Sequence, residues 1–370
     1  MRILHTMASH RWTGAAEPAA RVAAGQIAEG HEVLFALTAG ASFDEKAQAL
    51  GVKTSAHVPF ERSYLPHKKL RDLRLLKELI AGFRPDIVHA HLTHDHVLCA
   101  AALGKSSAPL LVRTFHREET VRRGAFARWL MARTHGAISI SESMTDQLKR
   151  AYSLDERHAA CIGGGIDTTR FAPSERGALR RETWGIAPDA PVLGTVSRIR
   201  VARGFAWLLD AAALALPPRP EARLVICGRG NWKDEMLQRL ETHPARAQIV
   251  YAGYVRGSDL EDSYNAFDAA LLLKPGNDGA CRSALEAMAC ARPVIGGDVG
   301  AIHDLLNDGE AGWLVPLDDV EQLARAMGQA LDNRAACHAM GAAARRKIEH
   351  AHGEDAMTRR TLEFYEGLRK

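Results

Sequence analysis

The sequence predicts an α/β protein built as two doubly wound halves, each a parallel sheet covered by helices. Three observations lead there. Short apolar runs alternate with longer amphipathic segments, the pattern of repeated βα units. A chain of 370 residues suits two domains at roughly 100–200 residues each. A stretch at 171–191, holding Pro173, Pro188 and Pro191, breaks the alternation and reads as a junction before a second βα series.

In the first half, apolar runs place strands at 2–7, 32–37, 86–91, 110–115 and 136–141. Helical periodicity falls at 15–29, 67–81, 125–133 and 142–151. In the second half, strands are expected at 192–196, 223–227, 248–252, 269–273 and 293–296. The helices between and after them fall at 205–213, 233–240, 259–267, 283–290 and 320–331, and the tail from 333 onward is helical in composition. The repeat is architectural: two Rossmann-like halves, 1–170 and 171–353.

Composition narrows the function. A net charge of +4 argues against a dedicated nucleic-acid binder, which is usually strongly basic. The six cysteines include no CxxC pair, so zinc ribbons and thioredoxin chemistry lack support. Scattered cysteines point to a reducing, cytoplasmic compartment. The opening Met1-Arg2-Ile3-Leu4-His5 reads as a first strand rather than a signal peptide, and no apolar run approaches a membrane span. Charge is uneven: residues 1–170 carry 23 Lys and Arg against 17 Asp and Glu, the remainder 25 against 27. The excess gathers at 62–84 and 113–133. Such faces are commonly just solvated, and they also suit peripheral docking on an anionic membrane or acceptor.

The most informative stretch runs Lys274-Pro-Gly-Asn-Asp278-Gly-Ala-Cys-Arg-Ser-Ala-Leu-Glu286-Ala-Met-Ala-Cys-Ala-Arg-Pro293. It follows a buried strand and leads into a helix. A Gly-containing loop there turns backbone N–H groups outward, and the helix start adds positive partial charge. Sugar hydroxyls or phosphates suit that site. Spacing alone also fits a capping Asp278 and a helix-surface Glu286.

This stretch resembles the signature of retaining GT-B glycosyltransferases, in the family called glycosyl transferases group 1 (family 4 type). That signature is an acidic residue, a Gly-rich turn, and Glu eight positions on, then Ala-Met-Ala and Pro-Val-Ile. Further resemblances lie in order along the chain: Gly14-Ala15-Ala16-Glu17 with Gly30-His31-Glu32-Val33, Pro85-Asp86-Ile87-Val88-His89-Ala90-His91, Gly165-Ile166-Asp167 with Arg170-Phe171, and the basic pair Arg198 and Arg203. The family implies two Rossmann-like domains with parallel sheets facing a central cleft. The first binds acceptor and the second nucleotide sugar, and a last helix near 354–370 packs back onto the first.

The implied activity moves a hexose-type sugar from a nucleotide diphosphate to an acceptor hydroxyl, with retention. A glycan or lipid-linked acceptor of lipopolysaccharide or other envelope biosynthesis is expected, at the inner face of the membrane. Arg198 and Arg203, in a loop after a strand, suit bidentate bonds to a pyrophosphate. By the resemblance they stabilise the departing diphosphate. Arg200 has similar spacing. Glu286 would bind the ribose. Asp278, where relatives carry Glu, would contact the donor sugar with the amides of Gly279, Ala280 and Cys281. Gly228 and Gly230 would allow close backbone approach to the nucleotide, although an ordinary turn explains them equally. Val255 would lie beside the base.

His89, His91, His94 and His96 cluster near Asp95. Alternation puts His89 and His91 on one strand face, yet the spacing fits no closed zinc pattern. The resemblance places His91 against the donor sugar, lets Gly14 approach it, and gives His116 to the acceptor. The chain shows no strand-end Asp-x-Asp motif, so neither metal nor cofactor is expected. A nucleotide-sugar epimerase, an inverting GT-B transferase and an inactive sugar-nucleotide-binding paralogue are the competing readings. No Gly-x-Gly-x-x-Gly follows the first strand to suggest an NAD enzyme.

Overall fold

A computed structural model describes residues 1–370 except 62–64, 106, 118–119, 122, 275–280 and 308. Two compact units divide the described residues: Met1–Gly165 with Glu354–Lys370, and 166–274 with 281–353.

In the first unit the chain runs β1 (Arg2–Met7), α1 (Ala16–Ala28), β2 (Glu32–Leu37), α2 (Ala41–Ala49), β3 (Thr54–Ser55), α3 (Pro66–Phe83) and β4 (Ile87–Ala90). It continues through α4 (Thr93–Leu103), β5 (Leu110–Phe115), α5 (Ala125–Met131), β6 (Gly136–Ser139), α6 (Glu142–Tyr152) and β7 (Ala159–Cys161). The second unit holds α7 (Arg176–Thr183), β8 (Val192–Val196), α8 (Phe205–Ala215), β9 (Arg223–Cys227), α9 (Lys233–Glu241), β10 (Ile249–Gly253) and α10 (Ser258–Ala266). After it come β11 (Ala269–Leu272), α11 (Arg282–Ala289), β12 (Val294–Gly297), α12 (Ala301–Leu306), β13 (Gly312–Val315), α13 (Val320–Asp332) and α14 (Arg334–Lys347). The last helix, α15 (Glu354–Arg369), belongs to the first unit.

The first sheet is parallel with order β3-β2-β1-β4-β5-β6-β7, and the second is parallel with order β10-β9-β8-β11-β12-β13. Each reverses direction once, between β1 and β4 and between β8 and β11. In doubly wound sheets ligands bind outside the carboxyl ends of the strands at such a point.

Parallel strands covered on both faces read as continuous apolar runs. Ile3 and Val33 lie in one core layer of the first unit, Leu4 and Leu34 in the layer on the opposite face. Short edge elements carry weaker signals, so β3, β7 and β13 are absent from the sequence reading. Helix α4 is absent for another reason. Its Asp95, His96, Leu98, Cys99 and Ala100 are all buried, which erases the polar face that periodicity needs. The strand expected at 136–141 stops at Ser139 because Ser141 caps α6, accepting from the Met144 amide at 3.3 Å.

Helix α15 completes the first core with Met357, Leu362 and Tyr365. It packs closely on α1: a Cβ on Gly25 would sit 2.2 Å from Thr358 Oγ1.

The expected junction at 171–191 is ordered by one buried arginine of α7. Arg181 donates to the carbonyls of Ala266 (2.7 Å), Pro188 (2.9 Å) and Ala190 (3.0 Å), and to Asp268 Oδ2 at 3.0 Å. Asp268 also accepts from the Val192 amide at 2.7 Å and from Arg334 at 3.1 Å. Removing one partner of a buried pair leaves an uncompensated charge and is strongly destabilising. Arg181→Ala should therefore lower unfolding stability by about 3 kcal/mol, read as a fall in the urea midpoint. An unmoved midpoint would contradict this account of the junction.

Candidate functional site

In the second unit the predicted basic pair lies at the switch point. The segment after β8 carries exposed Arg198, buried Ile199 and half-buried Arg200, then a short turn at Val201–Arg203 that leads into α8 through Gly204. Gly204 adopts φ 78°, a conformation glycine reaches without strain. Ile199 fixes this loop. Its amide donates to the Arg229 carbonyl at 3.1 Å, and its carbonyl accepts from Trp232 at 3.2 Å. Arg198 and Arg203 thus project from a backbone tied to the loop after β9.

That tie accounts for Gly228 and Gly230. A Cβ on Gly228 would lie 1.9 Å from the Ser197 carbonyl oxygen, and one on Gly230 1.9 Å from that of Ile199. The close approach that these glycines permit is between two protein loops. The Gly228 amide donates to the Gly253 carbonyl at 2.7 Å. Val255 is buried. Beside it the exposed Tyr254 ring carries the Arg229 guanidinium at 4.2 Å, a cation–π pair absent from the sequence reading.

Glu286 lies in the second turn of α11 and is only 6% exposed. Tyr264 donates to its Oε2 at 2.8 Å and Arg282, one turn earlier, to Oε1 at 2.8 Å. Burial, with the Glu286 charge second, pushes the Tyr264 hydroxyl well above its ordinary range, so it remains a donor. The helix-surface alternative for Glu286 therefore fails: this is a buried carboxylate with an aromatic donor behind it. Cys281, at the entry to α11, is buried with φ 46°. Asp278, Gly279 and Ala280 lie outside the described residues.

In the first unit a second cluster forms at the carboxyl ends of β1, β4 and β5. Register pairs His5 with His89 across β1 and β4. His91 follows β4 and His116 follows β5. His5 Nδ1 lies 2.9 Å from His91 Nε2, and His5 Nε2 lies 2.8 Å from Gln26 Oε1 of α1. His116 Nε2 lies 3.4 Å from His91 Nδ1. His89 bonds Tyr365 of α15 through Nδ1 at 2.5 Å and Thr114 through Nε2 at 2.7 Å. The His5 and His91 rings stack at 5.2 Å and those of His91 and His116 at 5.7 Å.

All four imidazoles are held neutral. Burial is the main cause throughout, lowering His5 to about 4 and His116 to about 3 and holding His89 and His91 well below the usual range. The Arg113 guanidinium also acts against the charged forms of His89, His91 and His116. Nitrogens of His5, His89 and His91 come within 4.8 Å of one another, close enough for a metal. Those nitrogens are committed to hydrogen bonds among themselves and with Gln26, Tyr365 and Thr114.

Gly14, His91 and His116, all singled out in the sequence, line one cavity with Pro18, Ile140 and Met357. The sequence cluster of His89, His91, His94 and His96 is split. His96 bonds Thr134 instead, at 2.8 Å. His5 and Gln26 were missed, because a lone His inside an apolar strand looks like any satisfied core residue.

Comparison with known proteins bears on the family and the fold. The model described as glycosyl transferases group 1 matches residues 178–347, and that of glycosyltransferase family 4 matches 12–170. The chain is 29% identical over 312 residues to a D-inositol 3-phosphate glycosyltransferase of Streptomyces avermitilis, covering 77% of this chain and 66% of that protein. It is 26% identical over 296 residues to the lipopolysaccharide core biosynthesis mannosyltransferase LpsB of Rhizobium meliloti, covering 78% and 81%. Among solved structures, a glycosyltransferase from Rickettsia africae superposes with TM-score 0.84 at 19% identity, over 100% of this chain and 98% of that one. Anabaena Alr3699/HepE in complex with UDP and glucose gives 0.76 at 18%, over 98% of each. These likenesses carry the GT-B fold class, and with the two matched models, which together span most of the sequence, they show that the chain belongs to the glycosyl transferases group 1, family 4 type.

Proposed function

We propose that the chain is a retaining glycosyltransferase that moves a hexose from a nucleotide-diphosphate sugar to the hydroxyl of a glycan or lipid-linked acceptor. The observation that carries this reading is Glu286, a buried carboxylate held on both oxygens by Tyr264 and Arg282. Ribose hydroxyls are natural donors to a buried carboxylate at this position. Relatives named for sugar transfer, and a structural neighbour crystallised with UDP and glucose, support the same reading.

The chemistry follows from charge. Breaking the bond between the anomeric carbon and the phosphate oxygen leaves its electron pair on the diphosphate and positive charge on the ring. In this reading Arg198 and Arg203 stabilise the diphosphate by charge-assisted bonds. The acceptor oxygen attacks from the face the diphosphate leaves and passes its proton to the departing phosphate oxygen. The configuration is thereby retained without an enzyme nucleophile. In this reading Asp278, the amides of Gly279, Ala280 and Cys281, and His91 and Gly14 contact the donor sugar, and His116 serves the acceptor.

A thermal-shift screen with UDP, GDP, ADP and CMP should find one nucleotide that stabilises the protein. Glu286→Ala should weaken that nucleotide about 10–150-fold by calorimetry, and Arg198→Ala should lower turnover of the matching sugar donor. No stabilisation by any nucleotide would remove the assignment, and an inverted product anomer by NMR would select the inverting reading.

Stabilisation of the leaving group by arginines supports a metal-independent reaction. Turnover should survive excess chelator; abolition by EDTA with rescue by manganese would contradict this. Among the described residues no helix is long and apolar enough to cross a membrane. The basic excess of residues 1–170 supports peripheral contact with an anionic bilayer. Sedimentation should occur with vesicles containing phosphatidylglycerol and weaken at high salt; equal recovery with neutral vesicles would refute it.

A further inference from the structure

The hydrogen bonds joining Gln26, His5, His91 and His116 form one chain whose proton positions follow from its end. An amide oxygen only accepts. With Gln26 oriented so that Oε1 lies at 2.8 Å from His5 Nε2 and its own Nε2 is buried without a hydrogen-bond partner among the described residues, the proton of neutral His5 sits on Nε2, leaving Nδ1 as acceptor. His91 must then donate from Nε2 across 2.9 Å, which makes its Nδ1 the acceptor. His116 donates to that atom from Nε2 across 3.4 Å. Its own Nδ1 is left with a lone pair. His5 and Gln26 are fully buried and absent from the cavity lining, whereas His91 and His116 are part of it.

We propose that Gln26 and His5 are positioning residues that lock the tautomers of His91 and His116, so that the cavity offers a hydrogen-bond acceptor at His116 Nδ1 and favours a donor sugar bearing a hydroxyl there, a role different from the acceptor contact that the family resemblance gives His116. This rests on the sugar-transfer reading only for the identity of the ligand. The tautomer lock stands on the first unit alone.

The surroundings keep the chain uncharged. Phe35 stacks on His5 at 5.4 Å and His89 lies 5.1 Å from it. Arg113 acts against the charged forms of His89, His91 and His116, and Arg117 against that of His116, while the Asp95 carboxylate is taken up by the Ala8, His91 and Leu92 amides and faces Arg113. Tyr365, on α15, is a buried phenol whose hydroxyl is pushed up beyond its ordinary range, so it is neutral too. No imidazolium then competes for the lone pair over the neutral pH range.

The first test is NMR of histidine-15N-labelled full-length protein, with resonances assigned by single His→Asn variants. His5, His91 and His116 should all show the Nε2–H tautomer between pH 6 and 8. Nδ1–H on His91 or His116, as a reversed Gln26 amide would impose, overturns the proposal. So does fast exchange between tautomers.

The second test compares UDP with UDP-glucose, or the nucleotide and hexose donor selected by the screen. Gln26→Leu should bind the free nucleotide like the wild type but lose about 5–10-fold in donor kcat/KM. Gln26→Glu keeps an acceptor at the same place, so it should preserve the tautomers. By favouring the imidazolium of His5 it should add an acid limb to the pH–rate profile that the wild type lacks. Unchanged donor kcat/KM in Gln26→Leu would refute the role in sugar binding. Failure of every nucleotide to bind would instead refute the sugar-transfer reading and leave the NMR result to decide the lock.

Discussion

Where a parallel sheet reverses its winding, the loops on either side turn away from each other and leave backbone amides without strand partners. Buried amides left unpaired are destabilising, and both units meet this constraint with specific bonds. In the first, the buried carboxylate of Asp95 accepts from the amides of Ala8 at 3.1 Å, His91 at 2.9 Å and Leu92 at 3.1 Å, and from Thr6 at 3.3 Å. One side chain thus joins the segment after β1 to the segment after β4 and sets where His91 begins. In the second, Ser197 donates to the Cys227 carbonyl and Ile199 to that of Arg229, each at 3.1 Å. These backbone bonds tie the segment after β8 to the loop after β9, on the side away from the reversal, and the glycines are what allow that approach. His91 in the first unit, and Arg198 and Arg203 in the second, project from segments that these bonds anchor.

This division explains what was legible in the chain. Strands buried on both faces announce themselves as apolar runs, so the order of the main βα units could be read directly. Features that depend on register could not. His5 and Gln26 are 21 positions apart, and nothing in either neighbourhood marks them as partners until β1 lies beside β4 with α1 above. Arg181 sat in a stretch read as a junction, and its partner Asp268 is far along the chain. Gly228 and Gly230 were readable as close-approach glycines, but which backbone approaches them depends on the fold. Conversely, Glu286 was legible because its motif is local: a loop, a helix start and a fixed interval.

The two units also differ in electrostatics, in a way that suits the proposed reaction. The second carries Arg198 and Arg203 in the segment after β8 and Arg282, paired with Glu286, at the start of α11. Such a site favours an anionic ligand. The first presents neutral imidazoles and aliphatic side chains to its cavity. A hexose has no charge to be attracted, and its hydroxyls are recognised by donors and acceptors of defined polarity. Burial that would be costly for a charged histidine is acceptable for a neutral one, provided that each nitrogen is satisfied.

Under the proposed reaction, with the sugar beside His116, neutrality matters further in the transition state. As the glycosidic bond breaks, the sugar ring takes on positive charge, and an imidazolium beside it would oppose that development. An uncharged imidazole with a lone pair turned toward the sugar interacts favourably with the same charge. The burial that lowers the affinity of these histidines for protons therefore acts in the direction that the chemistry requires. A histidine at this position in open solvent would titrate near neutral pH and lose that property in the acid half of the physiological range. The hydrogen-bonded chain behind His116, ending at the amide of Gln26, supplies the polarity that burial alone leaves undetermined.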